Sequence, residues 1–304
     1  MQKHIKEVFT DYQLNNNLKE ALIENINLFL DKKGEWVTSR SLYNTLKELE
    51  ADKCEILYIH SSLSFGTPNP QLKKSQLLGS ILDVIKALGV KTICMPTFTF
   101  SFCNGKDYDP AKSASKMGAL NEYFRKQVGV LRSVDPQMST ALLGEDKDLV
   151  LNIGHSSCGA NSTFDKLRHR NGVKFLFIGP KIGDCMTYMH YLEWLYGVDY
   201  RYERVFRGNI SINGVTSVVE YDLFCRYEGV TPNNGSYIYE QKMYDNGIAQ
   251  ITYLGDGHIS IVEEKAASEA YKQILLENPS FFVDYADNYI KNKTYRPIGE
   301  VVAM

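Results

Sequence analysis

The chain has 304 residues, 44% of them apolar and 23% charged, which is the make-up of a globular protein with a substantial core and excludes a disordered or fibrous one. Its 34 Lys plus Arg against 36 Asp plus Glu give a net charge of −2, leaving no basic excess for a nucleic-acid backbone or an anionic membrane. No apolar run approaches the roughly 20 residues that span a bilayer, and the opening Met-Gln-Lys-His-Ile-Lys-Glu lacks the apolar core of a signal peptide, so a cytoplasmic protein without a membrane span is expected. The cysteines (Cys54, Cys94, Cys103, Cys158, Cys185, Cys225) are scattered with no Cys-x-x-Cys spacing, which predicts reduced and mostly buried thiols.

Along the chain, Leu18, Leu22, Ile26 and Leu30 recur every four residues, and Thr38 or Ser39 can cap a second helix carrying Leu42, Leu46 and Leu49. Residues 1–50 are therefore predicted to be an N-terminal helical segment packed on the core. Glu55 to His60 is a short apolar run, followed by a helix-period segment with Leu77, Leu78, Ile81, Ile85 and Leu88 and by a second short run, Thr92 to Pro96. That order is a βαβ unit, whose two strands lie parallel in one sheet. Met117 to Val128 reads as a helix, Thr140 to Leu143 as a strand, and Lys174 to Gly179 as a third strand of parallel type. After Phe206 the texture changes: Asn209 to Ile212, Asn213-Gly214 and Val215 to Phe224 predict a hairpin, because Asn-Gly supplies both positive-φ residues of a type I′ turn. A second hairpin, Ile248 to Leu254 with His258 to Val262, turns on Gly255-Asp256-Gly257, and helices are expected over Glu263 to Leu276 and Phe281 to Ile290. The expected fold is α/β: a central mixed, largely parallel sheet flanked by helices, with an antiparallel β patch and C-terminal helices. Residues 51–205 would form the core that carries the site, and 206–304 the hairpins and terminal helices of the same domain.

Common motifs are missing: there is no G-x-G-x-x-G, no P-loop, no H-E-x-x-H and no G-x-S-x-G, and the histidines and cysteines are not spaced as a metal cluster. Four segments carry chemistry instead. His60-Ser61-Ser62-Leu63 and Met95-Pro96-Thr97-Phe98-Thr99 each fall where a strand ends, which is where open α/β sheets bind ligands, and they bring hydroxyls suited to phosphate. Arg132-Ser133-Val134-Asp135-Pro136-Gln137-Met138-Ser139 adds an arginine and two serines around an Asp-Pro turn. In Thr187-Tyr188-Met189-His190-Tyr191-Leu192-Glu193, the i,i+3 spacing sets His190 beside Glu193 on one helix face, where a carboxylate can orient an imidazole as a general base. Each segment also has a plain structural reading, as a turn, a surface arginine or a helical ion pair.

In this order, these segments resemble the aminoglycoside 3-N-acetyltransferase superfamily over roughly residues 40 to 210; Asp109-Pro110, Met117-Gly118-Ala119-Leu120 with Glu122 and Arg125, Gly159 to Leu167 and Gly179 complete the pattern. The resemblance implies an acyl-CoA:amine N-acyltransferase whose 51–205 core binds the acyl-CoA, most simply acetyl-CoA, as co-substrate and uses no metal. It assigns Ser61, Ser62, Leu63, Thr97, Arg132, Ser133 and Ser139 to acyl-CoA binding, His190 with Glu193 to catalysis, and Thr187, Asp135, Tyr200 and Arg201 to the acceptor. Drug-modifying members of that superfamily read Arg-Ser-x-His-Pro-x-His-Ser, whereas Asp135 and Met138 stand at the two histidine positions here. Gly197-Val198-Asp199-Tyr200-Arg201-Tyr202, with Phe206 and Gly208, resembles instead the branch that N-acylates nucleotide-linked amino sugars for surface polysaccharides. Charge agrees, because an aminoglycoside is a polycation whereas the segment after His190 sets Glu193 and Asp199 against Arg201, Arg204 and Arg207, and Tyr191, Tyr196, Tyr200 and Tyr202 are available for stacking. The expected activity is acyl transfer to a nucleotide-linked amino sugar by direct attack with His190 as base. An aminoglycoside 3-N-acetyltransferase and an inert CoA-binding protein of the same fold are the alternatives, and the oligomer is open between monomer and homodimer.

Overall fold

The computed structural model describes residues 24–287 and 289–291. In chain order the strands and helices are β1 (Asn27–Leu30), β2 (Trp36–Thr38), α1 (Ser39–Glu48), β3 (Ile56–Ser61), β4 (Thr67–Pro68), α2 (Lys74–Ala87), β5 (Thr92–Pro96), α3 (Ala119–Phe124), β6 (Leu131–Arg132), β7 (Thr140–Gly144), α4 (Thr163–Arg168) and β8 (Val173–Ile178). They continue with α5 (Ile182–Cys185), α6 (Met189–Leu195), β9 (Arg201–Ile212), β10 (Val215–Arg226), β11 (Val230–Pro232), α7 (Gly235–Asp245), β12 (Ala249–Leu254), β13 (Gly257–Glu263), α8 (Glu264–Glu277) and β14 (Val283–Tyr285).

Seven strands form one mixed sheet in the order β12-β13-β8-β3-β5-β7-β6. The predicted βαβ unit is there, with β3 parallel to β5 and also to β8. Parallel pairing is confined to these three central strands, since β7 reverses against β5 and β13 against β8. The second predicted hairpin, β12–β13, is therefore the edge of the main sheet and not a separate patch. The first, β9–β10, is a free-standing ribbon turned by Asn213 and Gly214 at φ 52° and 82°.

The sheet is buried on both faces, as the apolar runs of β3, β5 and β8 require. Leu57, Ile59, Ile93, Leu176 and Ile178 pack with α1, α2 and α3. Their strand neighbours Ile56, Tyr58, Cys94, Phe175 and Phe177 point the other way, into a core with α4, α6, α7, α8 and the ribbon. Helix α1 starts where Thr38 caps it: Thr38 Oγ1 accepts from the Ser41 amide (3.1 Å) and Ser41 Oγ from the Thr38 amide (2.8 Å).

Two expectations fail, and one helix goes unpredicted. Leu18 and Leu22 lie outside the described residues, and the rest of the first predicted helix is the hairpin β1–β2: Asp31 Oδ1 accepts from the Lys33 and Glu35 amides and Gly34 takes φ 82°, so the turn chemistry of Asp-Lys-Lys-Gly overrides the four-residue apolar spacing. The described residues of the predicted helix from Phe281 to Ile290 are not helical; Phe282 stacks on Tyr271 (4.4 Å, 7°) and Val283–Tyr285 pairs with β11. Helix α7 was not anticipated, because its buried Tyr239, Glu240 and Met243 mix polar with apolar residues. No helix among the described residues is long and apolar enough to cross a membrane.

Candidate active site

The carboxyl ends of β3, β5 and β8 lie side by side, with Ser61 paired to Ile178. At this edge the chain runs from β8 through Gly179 and the short α5 into α6. Glu240 of α7 fixes α5 by accepting from the Ile182 and Gly183 amides. Tyrosines then anchor α6: Tyr188 donates to the buried Glu264 (2.6 Å) and Tyr191 to Asp165 (2.9 Å).

On α6, His190 Nδ1 lies 2.7 Å from Glu193 Oε2, as the i,i+3 spacing predicted. Glu193 is buried and triply held, because Arg201 Nε is 2.8 Å from the same Oε2 and Tyr200 donates to Oε1 (2.8 Å). Arg201 Nη1–H in turn donates to the Phe224 carbonyl on β10 (2.8 Å), and its Nη2 lies 3.0 Å from His190 Nδ1. A carboxylate only accepts, so the contact to Glu193 favours the tautomer with the hydrogen on Nδ1, which leaves the Nε2 lone pair to take a proton. The His190 side chain keeps 13% exposure. Burial, and next the Arg201 charge, push the His190 imidazolium down against the pull of Glu193, whereas Glu193, despite its burial, is held at about 2 by Arg201 and His190. The pair is thus a neutral imidazole backed by an ionised carboxylate: a proton acceptor. One turn earlier, the buried Thr187 Oγ1 has no hydrogen-bond partner.

Other sequence-assigned residues have different work. Arg132 uses four of its five N–H groups internally: Nε–H on Thr97 Oγ1 (3.1 Å) and Ser139 Oγ (3.2 Å), Nη1 on the Pro110 and Ser113 carbonyls, and Nη2 on the Thr97 carbonyl. It also lies over the Tyr108 ring. Thr97, Ser133 and Ser139 are fully buried; Thr97 and Ser139 bond each other, and Ser133 Oγ accepts from the Thr140 amide. These four residues tie the end of β5 to the start of β7 and offer no open donor set for phosphate. Ser61 Oγ donates to Asn121 Oδ1 (2.7 Å), and Asn121 Nδ2 donates to the Pro96 carbonyl (2.8 Å), a buried link between the β3 and β5 ends. Leu63 is half-buried against the α1–α3 core, which leaves Ser62 as the exposed hydroxyl of the set.

Among the residues assigned to the acceptor, Asp135 is buried, with Oδ1 accepting from the Gln137 and Met138 amides and from Ser157 Oγ. Tyr200 and Arg201 are buried on Glu193, so neither offers a stacking or anion-binding surface, while Thr187 Oγ1 has no hydrogen-bond partner. Of the other expected stacking tyrosines, Tyr191 is core, Tyr202 stacks on Tyr227 (4.7 Å) and Tyr196 is half-buried. Burial pushes the Cys158 and Cys185 thiols far up, away from thiolate. Asn121 went unnoticed in the sequence, although an asparagine inside a helix, against its propensity, is a usable signal. No cluster of three or more metal-ligating side chains occurs among the described residues.

Known proteins place this architecture. The aminoglycoside 3-N-acetyltransferase family model matches residues 58–275. Solved structures of similar fold include aminoglycoside acetyltransferase AAC(3)-Xa (TM-score 0.68, 18% identity, 79% of this chain and 93% of that one) and AAC-IIIb in its binary complex with CoASH (0.68, 16%, 84% and 99%). The YokD protein from Bacillus subtilis is another (0.64, 20%, 80% and 94%). No curated protein sequence matches the chain. Because the family model runs from inside β3 through the His190 helix to α8 and takes in more than two thirds of the 304 residues, the chain is an N-acyltransferase and belongs to the aminoglycoside 3-N-acetyltransferase family.

Proposed function

We propose that the protein transfers an acyl group, most simply acetyl, from acyl-CoA to the amino group of a nucleotide-linked amino sugar, with His190 as general base. One observation carries the choice of acceptor. After His190 the chain sets Arg201, Arg204 and Arg207 against Glu193 and Asp199, so the segment beside the base carries no acidic excess. That balance favours an anionic acceptor such as a sugar on a diphosphate over a polycationic aminoglycoside. The CoASH complex of AAC-IIIb supports acyl-CoA as the donor.

In the proposed reaction His190 Nε2 takes the proton that the acceptor ammonium must lose. The free amine attacks the thioester carbonyl, forming the C–N bond; as the oxyanion collapses and the C–S bond breaks, the new nitrogen gives up its second proton to the departing CoA sulfur, and the proton held on His190 passes to solvent. Thr187 Oγ1, a donor without a partner, is the side chain on hand for the oxyanion. General-base assistance contributes about 10²–10⁴-fold. His190→Ala is therefore expected to lower kcat by that order while acyl-CoA affinity, read by calorimetry, holds. A folded variant with most of its turnover across the neutral range removes His190 as base. Thiol release measured against a panel of nucleotide-linked amino sugars and aminoglycosides decides the acceptor: efficient turnover of a deoxystreptamine drug, with none of any nucleotide sugar, reverses the choice.

A further inference from the structure

The geometry points to Arg201 as a positioning residue that keeps His190 a neutral imidazole at neutral pH by pairing with the same Glu193 oxygen that holds the ring. The inference rests on the general-base reading and deepens it. A carboxylate beside a histidine orients the ring but also favours the imidazolium, so that with nothing to offset its charge a larger share of the base is already protonated near neutral pH. Here Oε2 of Glu193 is shared: it lies 2.7 Å from His190 Nδ1 and 2.8 Å from Arg201 Nε. Arg201 Nη2 comes within hydrogen-bond distance of Nδ1, 3.0 Å, so the guanidinium and Glu193 meet at the same ring nitrogen and a cation is set directly against the ring. The carboxylate thus orients the imidazole while its charge is cancelled, and the guanidinium adds a direct penalty on the imidazolium.

Arg201 is also built in. Its side chain is 2% exposed and its Nη1 holds the Phe224 carbonyl, so the first residue of β9 is fixed across the ribbon to β10. The other titratable groups facing the cluster reinforce the balance. Arg226 of β10 acts on His190 with the sign of Arg201. Tyr200 donates to Glu193, and Tyr271 of α8, Cys158 and Cys225 lie near with burial holding all four protonated. The direction found for His190, downward with Arg201 as the leading charge, agrees with this geometry.

The test is an NMR titration of the His190 imidazole in the folded protein, with kcat measured over pH 5.5–9 in parallel. In Arg201→Met the midpoint is expected to move upward, with the pH 6.5 rate falling on the order of tenfold more than the rate at pH 8.5; in Arg201→Lys the midpoint stays near that of the wild type. An unmoved midpoint in folded Arg201→Met, or an equal rise in both variants, overturns the inference. If Arg201→Met does not fold, Glu193→Gln gives the complementary reading: with the guanidinium kept and the carboxylate removed, the midpoint must fall, and a rise overturns the inference. The midpoints test Arg201, whereas turnover by His190→Ala tests the base, so the two readings fail separately.

Discussion

Replacement of Arg132 separates a cofactor contact from a scaffold, and the hydrogen bonds set the size of the effect. Arg132→Met keeps much of the aliphatic stem but removes every N–H. The Pro110 and Ser113 carbonyls lose their Arg132 donor, Thr97 and Ser139 lose Nε–H, and the cation over Tyr108 is gone; the Thr97 carbonyl keeps Ser139 Oγ at 2.9 Å. Leaving a buried acceptor unmet costs about 1–3 kcal/mol, and half-burial of Pro110 and Ser113 favours the lower end for those two. With a cation–π loss of about 0.5–1 kcal/mol, the total is about 3–5 kcal/mol. At about 2–4 °C per kcal/mol for a chain of this order of size, Tm should drop by about 10 °C, while calorimetry on the folded variant at low temperature should find acyl-CoA affinity within about threefold of the wild type. The opposite pattern, Tm within about 2 °C and affinity lower by tenfold or more as expected for a lost charge-assisted contact, would refute the scaffold assignment.

Further predictions follow from the same contacts. His60 is buried, stacks on Phe177 (5.2 Å, 6°), and is pushed by burial from its ordinary 6.5 to about 3. Its neutral form is the folded one, so its contribution is complete above pH 6.5 and is lost as pH falls through the window from 6.5 to about 3. That amounts to about 2 kcal/mol by pH 5, and chemical denaturation should show a flatter pH slope in His60→Phe than in the wild type; equal slopes reject it. Tyr188→Phe strips a donor from the buried Glu264 and should cost about 1.5–3 kcal/mol, and a thermal melt within about 1 °C of the wild type would contradict this. Gly179 sits at φ 99°, and a Cβ there would meet the Ser62 carbonyl oxygen at 1.8 Å. Gly179→Ala should therefore lose about 3 kcal/mol or more, or fail to fold, and full stability in solvent denaturation would mean that the strand end gives way.

The sequence by itself determined the features that follow from short-range rules. Short apolar runs located β3, β5 and β8 and a period of 3.6 located α2, the Asn-Gly and Gly-Asp-Gly turns located both hairpins, and i,i+3 spacing alone placed His190 beside Glu193. These rest on local geometry that any fold must obey. Tertiary structure decided what local rules cannot. Whether a hydroxyl or a guanidinium faces a ligand or the core depends on which strand ends meet: Arg132, Thr97 and Ser139 look like a phosphate site along the chain, yet with β5 beside β7 their donors are spent on one another. Asp135, a candidate acceptor contact by position, becomes the buried cap of its own turn once Ser157 closes over it. Arg201 and Tyr200 look like acceptor contacts until the ribbon folds back on α6 and their polar atoms reach Glu193. The same tyrosine and arginine chemistry can bind a ligand or tune a base, and only burial and the partner within 3 Å distinguish the two.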